Sequence, residues 1–189
     1  MMRIITGRAR GTQLHTLEGD ATRPTSERAK EAVFSTLQFE LSGRRGLDLF
    51  AGSGQMALEA ISRGASGAVL VDASPKAVEI IKKNVAKTHF EAECTVLCAD
   101  YADAVRRVTG RFDLVILDPP YALRLIVPAL RALLLAERLE DDAIIVCESD
   151  EENIFGGDTA LADRFIVRKT AKYGVAYVTI LQYKEGDHE

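Results

Sequence analysis

From residue 46 onward, short apolar runs alternate with segments whose apolar positions recur every three or four residues. The runs 47–50, 68–72, 95–98, 114–117 and 144–148 have strand length and are rich in Leu, Val and Ile. Between them, 54–63, 75–89, a short stretch after Tyr101, and 122–136 have helical spacing. Near-continuous apolar strands separated by amphipathic helices predict a parallel sheet covered on both faces. Residues 165–183 break this rhythm, because two strand-like runs meet directly at Tyr173-Gly174. That predicts an antiparallel hairpin at the end of the sheet. Pro128 lies inside a helical pattern and predicts a kink or a restart there.

The first 45 residues follow a different pattern. Residues 2–17 read as two short strands joined through glycine-flanked turn residues, a basic hairpin standing outside the core. After the polar stretch 18–23, Pro24 opens a helical pattern with Ala29, Val33, Leu37 and Leu41 about one turn apart, capped by Thr25 or Ser26. The chain is thus expected to divide into an amino-terminal hairpin-and-helix extension over 1–45 and one compact α/β unit over 46–189.

Composition sharpens this picture in three places. With 189 residues, 47% of them hydrophobic, the chain can bury a full core and most simply forms one domain with a modest extension. The net charge of −4 hides an asymmetry: residues 1–45 carry +3 and residues 46–189 carry −7, so the basic end suits an anionic partner. Cys94, Cys98 and Cys147 are odd in number and lack a Cys-x-x-Cys spacing, which reads as buried thiols in a reducing cytoplasm. Neither a signal peptide nor an apolar run of about 20 residues is visible, so a soluble cytoplasmic protein is expected.

Candidate chemistry begins at Leu47-Asp48-Leu49-Phe50-Ala51-Gly52-Ser53-Gly54, a buried strand running into a glycine turn and a helix. Ala57 takes the third small position of a Gly-x-Gly-x-x-Ala pattern, so backbone can approach a ligand closely. Asp72 ends the next strand, twenty residues after Gly52, where a carboxylate can accept hydrogen bonds from both ribose hydroxyls of an adenosine cofactor. A dinucleotide enzyme fits this spacing too. Asp48, within the strand before the glycines, is placed for the ammonium of a methionine moiety and moves the choice towards S-adenosylmethionine. Phe50 and Ala51, at the entry to the turn, belong to the same cofactor set. Asp100-Tyr101 would bond the adenine amino group and flank its ring, although Asp100 serves equally as a helix cap.

Other chemistries fit less well. Ser53 lacks the flanking glycines of a nucleophile elbow, with Ala51 and Gln55 in their places. No phosphate-binding Gly-x-x-x-x-Gly-Lys-Ser/Thr loop occurs. His15, His89 and His188 lack metal-ligand spacing, so no metal is expected and surface or capping roles are favoured.

The second motif is Asp118-Pro119-Pro120-Tyr121, at the end of the apolar run 114–117. Exocyclic amines on bases are poor nucleophiles because the lone pair is delocalised into the ring. The Asp118 carboxylate and the Pro119 carbonyl can each accept an amine N–H, favouring a pyramidal nitrogen whose lone pair faces a methyl sulfonium. Tyr121 would stack on the extruded base, and Pro119 and Pro120 stiffen the loop that aims these groups.

The chain resembles the RsmD-type bacterial small-subunit ribosomal RNA (guanine-N2)-methyltransferases over nearly its whole length. Arg3-Ile4-Ile5-Thr6-Gly7 with Gly11, then Arg23-Pro24-Thr25 with Glu31-Ala32-Val33-Phe34, is similar to that family's amino-terminal signature. The glycine turn, Leu58-Glu59-Ala60, Ser62-Arg63-Gly64-Ala65 and Asp118-Pro119-Pro120-Tyr121 resemble its central motifs. The resemblance implies a Rossmann-like S-adenosylmethionine-dependent methyltransferase fold, mostly parallel, with an antiparallel carboxy-terminal hairpin and an amino-terminal β-hairpin extension. It also implies that Asp48, Gly52, Gly54, Asp72 and Asp100 bind S-adenosylmethionine and that residues 118–121 hold guanine. The family often has a further Gly within 55–57, where this chain has Gln55-Met56-Ala57.

The partner is then small-subunit rRNA, alone or as an assembling subunit with ribosomal proteins. It would be met by a local basic surface around Arg3, Arg8, Arg10, Arg23 and Arg28, since the main body is acidic. Two alternatives stay open: methylation of adenine N6 or a protein glutamine, mildly disfavoured by Asp at 118 where Asn would be expected, and a non-catalytic RNA-binding or assembly protein on the same fold.

Overall fold

The computed structural model describes residues 2–17 and 24–184, with the side chains of residues 24–26 left out. Arg23, His188 and the polar stretch 18–23 therefore lie outside the described residues, while the first helix already begins at Pro24, so Thr25 and Ser26 stand inside it and not at its cap as expected. Among the described residues seven strands form one sheet: β1 (Arg45–Asp48), β2 (Gly67–Asp72), β3 (Cys94–Cys98), β4 (Phe112–Leu117), β5 (Leu139–Ser149), β6 (Phe165–Tyr173) and β7 (Ala176–Tyr183). Their order is β3-β2-β1-β4-β5-β7-β6. The first five are parallel, while β7 runs antiparallel to both β5 and β6.

The parallel strands are apolar on consecutive residues because each faces two cores. Leu70, Leu114 and Ile144 face one layer, built on α1 (Pro24–Thr36), α2 (Gln55–Ser62) and α3 (Pro75–Thr88). Their neighbours Val69, Val115 and Ile145 face the other, under α4 (Tyr101–Arg107) and α5 (Ile126–Leu135). A short helix, α6 (Thr159–Ala162), leads into β6 and was not legible as an element. Leu37 and Leu41 are fully buried although α1 ends at Thr36, because the turns that follow keep them against the same core.

Pro128 marks a restart. A single 3-10 turn at Tyr121–Leu123 ends at Arg124, which takes φ 51, and α5 begins afresh at Ile126. Pro128 then sits in the first helical turn, where a backbone N–H has no intrahelical acceptor, so the ring breaks nothing.

The amino-terminal hairpin is a loop closed by one antiparallel bridge, Arg3 to Gln13, with Ile4 N donating to Thr12 O (3.0 Å) and Leu14 N to Met2 O (2.9 Å). It does not stand outside the core, as its pattern had predicted. Met2, Ile4, Ala9 and Leu14 are buried with Phe34, Leu58 and Leu70. Buried polar side chains of α2 and α3 hold it there. Glu59 accepts from Ile5 N (2.8 Å) and Thr6 N (3.0 Å), and Ser62 Oγ accepts from Ala9 N (3.0 Å) and donates to Thr6 O (2.7 Å). Asn84 accepts from His15 N (2.7 Å) and donates to His15 O and Ser53 O, tying the hairpin to the glycine turn. Gly7 is confined by the docking: at φ +87, a Cβ there would lie 1.8 Å from Ser62 O.

The cysteines are not uniformly buried. Cys147 is in the core and Cys94 half-buried, but Cys98 is exposed, because β3 is an edge strand whose final residue turns outward. Burial pushes the Cys94 thiol up to about 12 and raises that of Cys147 as well, so neither offers a thiolate at neutral pH. Among the described residues, no helix is long and apolar enough to cross a membrane.

Candidate active site

The strand order reverses between β1 and β4, so their carboxyl ends diverge and leave a crevice at the sheet edge, where open α/β sheets place ligands. A cleft of about 820 Å³ opens there. Asp48, Phe50, Ala51, Gly52, Asp72, Asp100 and Tyr101 line it, as do Asp118, Pro119, Pro120 and Tyr121. The two motifs, about 65 residues apart in sequence, share one cavity.

The glycines of the turn do different work. Gly52 takes φ 56, and a Cβ on it would meet nothing within 4 Å, so its backbone is open to the cleft. Gly54, at φ 81, is off the cleft wall, and a Cβ there would lie 2.9 Å from Leu70 Cδ2. Gly54 stands behind the turn, where its lack of a Cβ lets α2 pack on β2.

The acids are arranged by depth. Asp48 is only 2% exposed, and among the described residues the one hydrogen bond its carboxylate accepts, from Phe50 N, is long at 3.4 Å. Burial pushes its pKa up to about 7; the Phe50 N–H pulls the other way, and the nearby Asp72 adds to the rise. A carboxylate so poorly compensated by the protein suits a cation brought by a ligand. Asp72 Oδ2 accepts from Gly52 N (2.9 Å) and Oδ1 from Ser74 N (2.8 Å). It braces the turn, and each oxygen retains a lone pair for a ligand hydroxyl. Asp100 caps α4, its Oδ1 accepting from Asp103 N (2.9 Å), and also lines the cleft, so both of its expected roles are compatible. Tyr101 meets Phe50 with ring centroids 5.7 Å apart.

On the β4 side, the parallel register pairs Leu117 with Cys147, which sets Asp118 beside Glu148 on the next strand. Tyr121 Oη donates to Glu148 Oε1 (2.7 Å). Burial, and then that bond to a carboxylate, raise the phenol pKa and keep it neutral. Arg124 Nη1 bonds Asp150 Oδ1 (2.8 Å) and lies 3.0 Å from Glu151 Oε1, tying the far end of the loop to the end of β5.

Glu148, Met2, Gln55 and Met56 border the cleft or its extension and were not singled out as site residues. A carboxylate closing the apolar run 144–148 was the available signal for Glu148. Met2 carried none. Its Sδ accepts from Ser53 Oγ (3.1 Å), which occupies that hydroxyl.

The arginines of the hairpin differ. Arg3 and Arg10, like Arg28 on α1, are exposed. Arg8 pairs with Glu93 (2.5 Å) and lies 4.4 Å over the Phe90 ring, so it anchors the hairpin to the turn before β3. His89 is the left-handed cap of α3, and His15 is held through its backbone by Asn84. No group of three or more His, Cys, Asp or Glu positioned for a metal occurs among the described residues.

An open sheet of this order, a glycine turn under a buried acid, a second acid at the next strand end and an Asp-Pro-Pro-Tyr turn across the cleft define an S-adenosylmethionine-dependent methyltransferase. The family model described as "Conserved hypothetical protein 95" matches residues 2–182, and the chain belongs to this family, the RsmD family. It is 30% identical over 188 residues to the "Ribosomal RNA small subunit methyltransferase D" of Escherichia coli strain K12, covering all of this chain and 93% of that one. It is 37% identical over 155 residues to the Bacillus subtilis protein described as "Putative rRNA methyltransferase YlbH", covering 80% of this chain and 84% of that one. The solved structure titled "Putative methyltransferase yhhF from Escherichia coli" superposes with a TM-score of 0.84 at 27% identity, over 98% of this chain and 99% of that one.

Proposed function

We propose that this enzyme transfers the methyl group of S-adenosylmethionine to the exocyclic N2 amine of a guanine in small-subunit rRNA. The observation that carries the reading is the single cleft lined at one end by Asp48, Gly52 and Asp72 and at the other by residues 118–121. The names of the relatives supply the substrate class. The residues present fit the cofactor: the buried Asp48 carboxylate for its ammonium, the open Gly52 backbone beside it, Asp72 for its ribose, and Phe50 and Tyr101 for its ring. When bound, S-adenosylmethionine supplies an electrophilic methyl group on a sulfonium.

The chain does the rest. Asp118 and the Pro119 carbonyl accept the amine hydrogens, turn its lone pair into the cleft, and leave Asp118 placed to receive the proton the amine sheds. Tyr121, held by Glu148, stacks on the extruded base. Methylating rRNA in vitro and mapping modified nucleosides by mass tests the reading. One N2-methylguanosine at one site supports it, and methylation of adenine or of protein overturns it. We propose further that residues 1–45 form the RNA-facing extension of a catalytic unit over 46–189. The substrate would be met in the cytoplasm, as rRNA in a subunit still assembling with ribosomal proteins.

Two expected results follow from the site. Because Asp48 must be ionised to hold an ammonium, cofactor affinity should rise with pH and level off above about 7, falling about tenfold per unit below it. The ligand-free protein should show the opposite sign. A carboxyl whose pKa is raised by folding binds more protons folded than unfolded, so stability falls as pH rises from about 4 to about 7, by up to ~1.4 kcal/mol per unit. Calorimetry and thermal melts across pH check both, and Asp48→Asn should abolish both dependences.

The second result concerns RNA. Replacing Arg3 and Arg10 together with Ala should spare cofactor affinity and lower the slope of log affinity against log salt by roughly 1.5, about the loss of two phosphate contacts. Arg8→Ala should act chiefly on hairpin docking, given its pairing with Glu93. Identical salt slopes for wild type and the double variant would make the exposed arginines bystanders.

A further inference from the structure

A small void of about 50 Å³ lies between α1 and the sheet, walled by Ile116, Asp118, Val146 and Glu148, and it shares Gln55, Met56, Ile116 and Asp118 with the main cleft. Asp118, just past the end of β4, and Glu148, on the adjacent parallel strand β5, therefore stand on neighbouring backbones about 4.8 Å apart where the cleft meets this void. The buried Lys30 ammonium on the same wall is committed elsewhere, donating to Arg3 O (2.8 Å) and lying 3.9 Å from Glu59. Glu148 Oε1 takes the Tyr121 hydroxyl, and its Oε2 accepts from no described residue.

Guanine presents two adjacent kinds of donor on its Watson–Crick edge, the N1–H and the N2 amine. Adenine presents an acceptor at N1. We propose that Glu148 is the specificity-determining residue of the base site, accepting the guanine N1–H on Oε2 while Asp118 accepts the N2 amine. The assignment rests on the guanine reading above and adds to it the group that selects the base. Any purine with a bare N1 lone pair would set that lone pair against a carboxylate, and a site built for a donor rejects such an analogue strongly. The same carboxylate fixes Tyr121, so recognition of the base edge and the stack on its face are joined in one side chain.

The probe is rRNA assembled by ligation with 2,6-diaminopurine at the mapped target position. This base keeps the N2 amine but has an unprotonated N1. Wild type should methylate guanine over diaminopurine by about 100-fold or more in kcat/KM. In Glu148→Gln the Tyr121 hydroxyl donates to the amide oxygen and so turns the amide NH2 towards the base. The variant should therefore lose about 100-fold on guanine but gain on diaminopurine, bringing the ratio to within about tenfold, with cofactor affinity unchanged. Tyr121→Phe leaves the carboxylate in place and should keep the guanine preference while raising KM.

Wild type that takes both bases equally, or a Glu148→Gln variant with wild-type discrimination, overturns the assignment while leaving guanine methylation standing. Loss of discrimination in Tyr121→Phe equal to that in Glu148→Gln overturns it too, by showing that Glu148 acts only through Tyr121. No N2-methylguanosine from wild type overturns the functional reading itself.

Discussion

Replacing Asp118 with alanine is expected to slow methyl transfer by about 10²–10³-fold at saturating RNA and cofactor, while leaving S-adenosylmethionine affinity within about twofold of wild type. The separation follows from geometry. Asp118 follows β4, across the cleft from the acids that suit the cofactor, and its work is on the incoming amine. The loop should survive the substitution. Pro119 and Pro120 fix its dihedrals, Tyr121 is bonded to Glu148, and Arg124 is bonded to Asp150. What is lost is an acceptor that aligns the amine lone pair and receives its proton, which is a loss in kcat. Asp118→Asn keeps an amide oxygen that still accepts one N–H, so it should fall between the two. Single-turnover rates with saturating RNA, set beside calorimetry with cofactor, check the claim. Wild-type turnover in the alanine variant would remove Asp118 from the chemistry.

Much of this site was legible in the sequence because its motifs are locally continuous. The glycine turn and the Asp-Pro-Pro-Tyr turn each follow an apolar run directly, so a strand end and a loop could be assigned from neighbours alone. Strands buried on both faces were legible for the same reason. Their edges were not: β1 begins at Arg45-Gly46, which is hardly apolar, because Gly46 runs so close to β2 that an added Cβ would lie 3.1 Å from that of Ala68. The start of β5, Leu139-Glu140-Asp141-Asp142, looks like a loop by composition and is exposed over its three acids, yet it pairs through Leu139 with Phe112.

Glu148, Met2 and Glu59 were harder to place. Each owes its position to register or packing between segments distant in sequence. The division of labour between Gly52 and Gly54 was equally hidden, since only the position of Leu70 shows that the second glycine is a packing residue. Nothing in the sequence separates Arg8 from the other four arginines of the basic surface; its contacts with Glu93 and Phe90, about 80 residues away, do.

The largest effect on stability is expected at Glu59. Its carboxylate is fully buried, accepts from Ile5 N and Thr6 N, pairs with Arg63 Nε at 2.7 Å, and lies 3.9 Å from the buried Lys30 ammonium. Glu59→Ala leaves the Ile5 and Thr6 amides and Arg63 Nε without their acceptor and the buried Lys30 ammonium without its counter-ion, a change of the kind that costs about 3–5 kcal/mol. Since a chain of this length loses roughly 2–4 °C of Tm per kcal/mol, the melting temperature should fall by on the order of 6–20 °C. Burial already lowers the Lys30 pKa, opposed chiefly by Glu59, so part of the loss will be relieved by deprotonation of Lys30. The effect should also be local. Ile5 and Thr6 amides are expected to exchange at nearly loop rates in the variant, whereas amides in β1 and β4 follow only the global change. Because the same hairpin carries Met2 to the cleft wall and Arg3 and Arg10 to the surface, cofactor and RNA affinities should weaken together, unlike in the arginine double variant. An unchanged Tm with Ile5 and Thr6 still protected would show that the apolar contacts of Ile4 and Leu14 dock the hairpin unaided, and that the buried carboxylate serves only to pair Arg63 and Lys30.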